Sequence, residues 1–266
     1  MPLYPLVYYC VYGEDSYYDC LRASLTSLLE LGGYTGFVGV ACDRPRAELL
    51  RFVPGAVHER LITTTASAAR GWFGRYDIGH GLYDRFSPIL YADIDVVFDR
   101  DITQILTTPL IRQRFCCATE ALDFADQPPA KWPEYTGDYF GRYLYLANGW
   151  PPVPAALGNT GFFAFDRVDR VKPLFAAVSR LAKQQDPERL RVFGDQPIVN
   201  YLLHTAYPGD FLAMNRYVRI ARSLAEVPPE TRNGIVHFNV HTGEAKIATM
   251  LAYLENVKAQ IRGTSS

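Results

Sequence analysis

The stretch Ser87–Ile102, SPILYADIDVVFDRDI, decides how the chain is read. Its apolar residues have the look of a buried strand, yet Asp93 and Asp95 stand in the middle, where β-propensity disfavours aspartate. Two carboxylates in such a run repel each other and are costly to desolvate unless something cationic compensates. Either the run ends at Ala92 and the aspartates occupy an ordinary turn, or they hold a cation. Ile89–Ala92 is fully apolar, and the carboxylates follow at its carboxyl end, where open α/β sheets bind ligands. In extended chain, residues i and i+2 point to the same side. Two hard oxygen ligands on one side suit Mg²⁺ or Mn²⁺. Asp99 and Asp101 repeat the spacing six residues later and read as a solvated turn.

Working outward, Leu6–Val11 (LVYYCV) reads as a buried strand. Ser16 with Asp19 resembles a capping box, and Leu21, Leu25, Leu28 and Leu31 keep a helical period up to Gly32-Gly33. Phe37–Ala41 reads as the next strand, so strand, helix, strand predicts a right-handed βαβ unit and a parallel sheet. Further helices are expected over about 66–84, over Lys172–Lys183 and over Gln196–His204, with a strand over Gly161–Phe165. Residues 123–157 hold six prolines and two tryptophans among several tyrosines, which argues against a long regular element. This excursion is either a surface segment packed by its own aromatics or a wall of stacking surfaces over a site.

The totals bound the function. The chain has 266 residues, 48% hydrophobic and 21% charged, with a net charge of −1, which suits a single domain. Without a Lys/Arg block there is no electrostatic footprint for nucleic acid or a membrane surface. No apolar run approaches the ~20 residues of a membrane helix. The N-terminus lacks the basic region and cleavage site of a secretory signal, so a cytoplasmic protein is expected. Five cysteines, an odd count without C-x-x-C, read as buried thiols rather than a disulfide framework or metal site.

Three further constellations bear chemistry. Gly158-Asn159-Thr160-Gly161 reads as a turn before an aromatic strand, or as an amide and backbone N–H groups at a strand mouth. Asp195, with Pro197 two residues on, reads as a helix N-cap, while Asp195 and Gln196 together offer a grip on a polar substrate. His237 and Lys246 lie within the stretch IVHFNVHTGEAK, residues 235–246; imidazole is a metal ligand and lysine a compact phosphate partner.

In this order, apolar strand with D-x-D, N-x-G-aromatic, G-D-Q and H-F…G-x-x-K, the motifs resemble the retaining nucleotide-sugar glycosyltransferases of the glycogenin and bacterial lipopolysaccharide galactosyltransferase type. The resemblance implies one α/β domain over 1–266 with the Rossmann-like GT-A fold, a mixed, mainly parallel sheet flanked by helices. It implies a metal-dependent hexosyltransferase using a UDP-sugar donor and a saccharide or other hydroxyl acceptor. By position, Asp93, Asp95 and His237 would bind Mn²⁺ or Mg²⁺. Tyr12, Arg75, Asp93 and Lys246 would hold the nucleotide and its phosphates, with Arg70 the second choice for Arg75. Asn159, Asp195 and Gln196 would lie at the transferred sugar, their oxygens stabilising an oxocarbenium-like carbon. Trp132, Tyr135, Tyr139 and Trp150 of the 123–157 excursion are the candidates for an acceptor wall, with buried packing as the alternative. Here four residues separate His237-Phe238 from Gly243, which leaves His241 as an alternative third ligand. The competing expectations are an inactive nucleotide-sugar or carbohydrate-binding protein of the same fold and a sugar nucleotidyltransferase. The acidic VYGEDSYYD after the first strand, where such enzymes carry a glycine-rich basic loop, argues against the latter.

Overall fold

The computed structural model describes residues 4–66, 68–79, 81–107, 115–120, 127–149, 156–239 and 244–264. The strands are β1 (Tyr4–Val11), β2 (Phe37–Cys42), β3 (Leu61–Thr65), β4 (Phe86–Ala92), β5 (Val96–Phe98), β6 (Phe115–Thr119), β7 (Gly158–Phe165), β8 (Gly209–Asp210), β9 (Val218–Ala221) and β10 (Ile235–Phe238). The helices are α1 (Asp15–Glu30), α2 (Arg46–Leu49), α3 (Thr103–Thr107), α4 (Glu134–Tyr139), α5 (Arg142–Asn148), α6 (Val168–Ala182), α7 (Pro187–Phe193), α8 (Gln196–Thr205) and α9 (Glu244–Thr264). Among the described residues, no helix is long and apolar enough to cross a membrane.

The main sheet has the order β3-β2-β1-β4-β7-β6-β8. β3, β2, β1 and β4 are mutually parallel, β7 runs antiparallel between β4 and β6, and β6 pairs parallel with β8. This is the mixed, mainly parallel α/β architecture expected. β1 explains why a parallel strand can be apolar on both faces. Val7, Tyr9 and Val11 pack with Leu21, Leu25 and Leu28 of α1, while Leu6, Tyr8 and Cys10 face the side covered by α6 and α8. A small sheet, β5-β10-β9, packs under α9 through Val97, Val236, Phe238, Met250 and Tyr253.

Several local expectations are corrected. The capping box does not form: α1 starts after Glu14 without a side-chain cap, and Ser16 Oγ is buried without a partner. Residues 68–79 form short 3-10 turns instead of a regular helix, because Gly71 adopts φ +48°, which breaks the helical path. Gly158–Gly161 is not a turn but the first half of β7, whose backbone is committed to the sheet. Asp99 is not solvated. It is fully buried, and it receives hydrogen bonds from Arg219 (2.6 Å), Tyr253 (2.6 Å) and the Gly234 N–H (2.8 Å), tying the small sheet to α9. Asp101 is exposed and accepts from the Thr103 N–H, as a turn residue should. All five cysteines are buried free thiols.

Candidate active site

The strand order brings the sequence-distant motifs to one edge of the sheet. β1 and β4 are parallel neighbours, so Tyr12 and Asp93 emerge side by side at their carboxyl ends. β7 runs the other way, so its first residues lie against the end of β4; Ala92 pairs with Phe162, and the Asp93 N–H donates to Gly161 O at 2.7 Å. The opening alternatives both hold in part. The apolar strand does end at Ala92, and Asp93 and Asp95 occupy the turn into β5 instead of one face of an extended strand. That turn nevertheless converges them. Val96, next to Asp95, pairs with His237 in the antiparallel β5/β10 ladder, which swings the imidazole over the carboxylates.

Ligand atoms of Asp93, Asp95 and His237 lie within 4.8 Å of one another. His237 Nε2 stands 3.2 Å from Asp95 Oδ1, but that oxygen has no aligned hydrogen-bond donor, and His237 Nδ1 is also buried without a partner. Two carboxylates and an imidazole with lone pairs unspent fit Mn²⁺ or Mg²⁺. Lys246, in the first turn of α9, places its ammonium on Asp95 Oδ2.

The charges are strongly coupled. Burial opposes ionisation of Asp95, but His237 and Lys246 outweigh it and hold the carboxyl well below its ordinary range. For Asp93, burial prevails over the attraction of Arg75 and raises the pKa. Burial would lower both His237 and Lys246, yet Asp95 beside each raises them.

Arg75 is buried and bridges the two halves of the site. It donates to Thr160 O at 2.8 Å, with guanidinium nitrogens 3.2 Å from Asp93 and 3.8 Å from Asp195. Burial works against its charge, but Asp195 and Asp93 raise its pKa further. Arg70 is instead turned to Asp77, at 2.7 Å near the surface. Asp195 makes no side-chain cap for α8. Its carboxylate accepts from the Tyr76 hydroxyl and stands 3.5 Å from Thr160 Oγ1. Asn159 and Gln196 are buried beside it.

A cavity of about 240 Å³ reaches part of this cluster, lined by Tyr12, Tyr17, Trp72, Arg75, Asp93, Asp95 and Lys246 among others. Burial pushes the Tyr12 hydroxyl up to about 12, so it stays protonated and neutral.

The acceptor-wall expectation is corrected for Trp132. Its indole is 3% exposed, bonded to Gln127 O and packed with Phe140, Tyr145 and Leu157 in a small core of its own. Tyr135 is 70% exposed and leans on Phe193. Tyr139 does reach the site: its oxygen lies 3.4 Å from Asn239 Nδ2 and is influenced by a hydrogen bond from Gln196. Trp150 and His241 lie outside the described residues.

Sequence reading missed two residues. Tyr76 was overshadowed by Arg75 next to it. Glu120 follows β6 and is buried against Asn159 and Gln196. Its signal was present, since FCCAT-E repeats the pattern of ILYA-D, a carboxylate directly after an apolar strand.

No protein-family profile and no curated sequence relative matches the chain. Solved structures do. The bifunctional glycosyltransferase WbbM, in its apo form, superposes with a TM-score of 0.68 at 16% identity, covering 96% of this chain. This chain spans 49% of WbbM, about half its length. The galactosyltransferase LgtC, in complex with donor and acceptor sugar analogues, gives 0.61 at 12% identity, with 96% of this chain and 95% of LgtC covered. An LgtC active-site mutant with glutamine changed to glutamate gives 0.58 at 11% identity over the same shares. The chain has the fold of these glycosyltransferases.

Proposed function

We propose that the chain is a metal-dependent glycosyltransferase that moves a hexose from a nucleotide sugar, a UDP-sugar, to a hydroxyl acceptor with retention. The observation that carries this reading is the convergence of Asp93, Asp95 and His237, with both carboxylates lining a cavity that Arg75 and Lys246 also line. Such a site can hold a dication and a diphosphate together. The shared fold with WbbM and LgtC supports the same class of chemistry.

On this reading Asp93, Asp95 and His237 hold Mn²⁺ or Mg²⁺, and the ring faces of Tyr12, Tyr17 and Trp72 receive the nucleoside. The ion would offset the diphosphate charge and act as Lewis acid on the leaving group. Lys246 and Arg75 stabilise the negative charge that grows on the departing phosphate, an interaction stronger in the transition state than in the ground state. Asn159, Asp195 and Gln196 surround the transferred sugar, and LgtC likewise has an active-site glutamine. Arg75 and Tyr76 hold Asp195 in place. The acceptor hydroxyl attacks from the face on which the nucleotide leaves, with Tyr139 on the acceptor side.

The test is release of nucleoside diphosphate from a panel of sugar nucleotides, with Mn²⁺ and with chelator. Metal-dependent hydrolysis of one UDP-sugar is expected. No release from any donor, together with no metal-dependent UDP binding, would overturn the reading.

A further inference from the structure

The two amides at the site are not free to choose which end they present. Asn159 Oδ1 accepts from the Gly161 N–H at 2.8 Å, and Gln196 Oε1 accepts from the Thr160 N–H at 3.1 Å. A backbone N–H only donates, so both amide oxygens must face β7 and both NH₂ groups must face away from it. Those NH₂ groups meet on one atom. Glu120 Oε2 accepts from Asn159 Nδ2 at 3.2 Å and from Gln196 Nε2 at 3.3 Å. A carboxylate only accepts, so it enforces the same orientation from the other side.

Glu120 is built to stay there. It is 6% exposed, its N–H donates to Leu157 O at 2.9 Å, and its second oxygen lies 3.8 Å from the Arg222 guanidinium. Gln196 also hydrogen-bonds to the Tyr139 oxygen, which receives Asn239 Nδ2 as well. An oxygen accepting from two amides turns its own O–H outward.

We propose that Glu120 is a positioning residue that holds the NH₂ groups of Asn159 and Gln196 and so fixes both amides with their oxygens on β7. The proposal rests on the reading of this cavity as a glycosyl-transfer site. It agrees with the expectation that these amides offer oxygens to an electron-poor sugar carbon, since each oxygen accepts one bond from β7 and keeps a second lone pair. Gln196→Glu therefore does more than add a charge. It sets a second carboxylate against Glu120 and removes one of the two donors.

Two measurements on the full chain test this. In side-chain amide NMR, the NH₂ signals of Asn159 and Gln196 should be shifted and slow to exchange in the wild type. In Glu120→Ala and Glu120→Gln they should move toward the positions of solvent-exposed amides. In donor hydrolysis, Glu120→Gln and Gln196→Glu should each lower kcat about a hundredfold, with donor KM within about threefold. The reciprocal double variant, Glu120→Gln with Gln196→Glu, restores one carboxylate facing one amide and should regain about tenfold over either single variant. Unmoved amide signals, or a wild-type kcat in Glu120→Gln, would overturn the proposal. If the wild type turns over no donor, the functional reading falls, and the NMR arm alone decides whether Glu120 orients the amides.

Discussion

At the scale of single residues, the site is a set of charges waiting on one another. Lys246 sits on the carboxylate that the proposed metal would use, while one oxygen of Asp95 and one nitrogen of His237 lack hydrogen-bond partners. The ammonium is therefore the resident counter-charge of Asp95, and a dication must meet it at close range. Like charges about 5 Å apart at an effective dielectric of ~20 repel by several kcal/mol. Lys246→Met should accordingly bind Mn²⁺ about tenfold more tightly than the wild type in the absence of nucleotide, and bind UDP more weakly in its presence. Titration calorimetry of both ligands checks this, and equal Mn²⁺ affinity would show that the ammonium moves aside without cost. Gly161 carries the opposite constraint. A Cβ there would lie 2.1 Å from the His237 ring, so only glycine lets the imidazole rest on β7. Gly161→Ala should cost about 1–3 kcal/mol of stability by overpacking and abolish Mn²⁺ binding, read by denaturant melts and by calorimetry.

At the scale of elements, the strands and long helices were legible because their signals are periodic and redundant. β1, α1 and β2 each carry several agreeing residues, so one exception does not alter the assignment. The errors fall where a single backbone feature overrides a pattern. Gly71 broke the expected helix over 66–84, and β-pairing with β6 drew Gly158–Gly161 into a strand against its turn composition. Asp99 was misread because its partners, Arg219, Gly234 and Tyr253, lie more than a hundred residues away. It joins β5, β9 and α9, and breaking such a buried pair strands the guanidinium. Asp99→Asn should cost about 3 kcal/mol in denaturant melts, whereas Asp101→Asn should leave stability near wild type. His204 gives α8 a pH dependence. Its Nδ1 meets the Tyr145 hydroxyl at 2.6 Å, its Nε2 meets Ala156 O at 3.1 Å, and its ring stacks on Phe211. Burial depresses its pKa, so the unfolded chain takes up the proton first as pH falls. The contribution of neutral His204 is thus complete above about pH 6.5 and is lost progressively below it. Comparing melting temperatures between pH 7.5 and 5, His204→Phe should lose less stability than the wild type.

At the scale of the whole molecule, the candidate site has no local home in the chain. Its groups come from Tyr12 after β1, Arg75 and Tyr76 before β4, the β4–β5 turn, Glu120 after β6, the start of β7, the start of α8, His237 in β10 and Lys246 in α9. Order along the sequence was enough to suggest which residues meet, because each motif stands at an element end that the sheet order brings to one edge. Partner choice was not legible, because hydrogen bonds such as Glu120 to Gln196 depend on register between elements with no sequence proximity. A site assembled this way exists only when the fold does, so its ligands bind the native state and not the unfolded chain. Ligand at a hundred times its dissociation constant then stabilises the fold by about 2.7 kcal/mol. For a chain of this size each kcal/mol raises the melting temperature by roughly 2–4 °C. Mn²⁺ and UDP together should therefore raise it by about 5–10 °C. The sum of the separate shifts should be smaller, since the metal alone faces Lys246 and the diphosphate alone faces Asp93 and Asp95. Asp95→Ala should remove the synergy while leaving the ligand-free melting temperature within a few degrees. Additive shifts in the wild type would mean that the two ligands do not share the cluster of Asp93, Asp95 and His237, and a synergy that survives Asp95→Ala would place the shared site elsewhere.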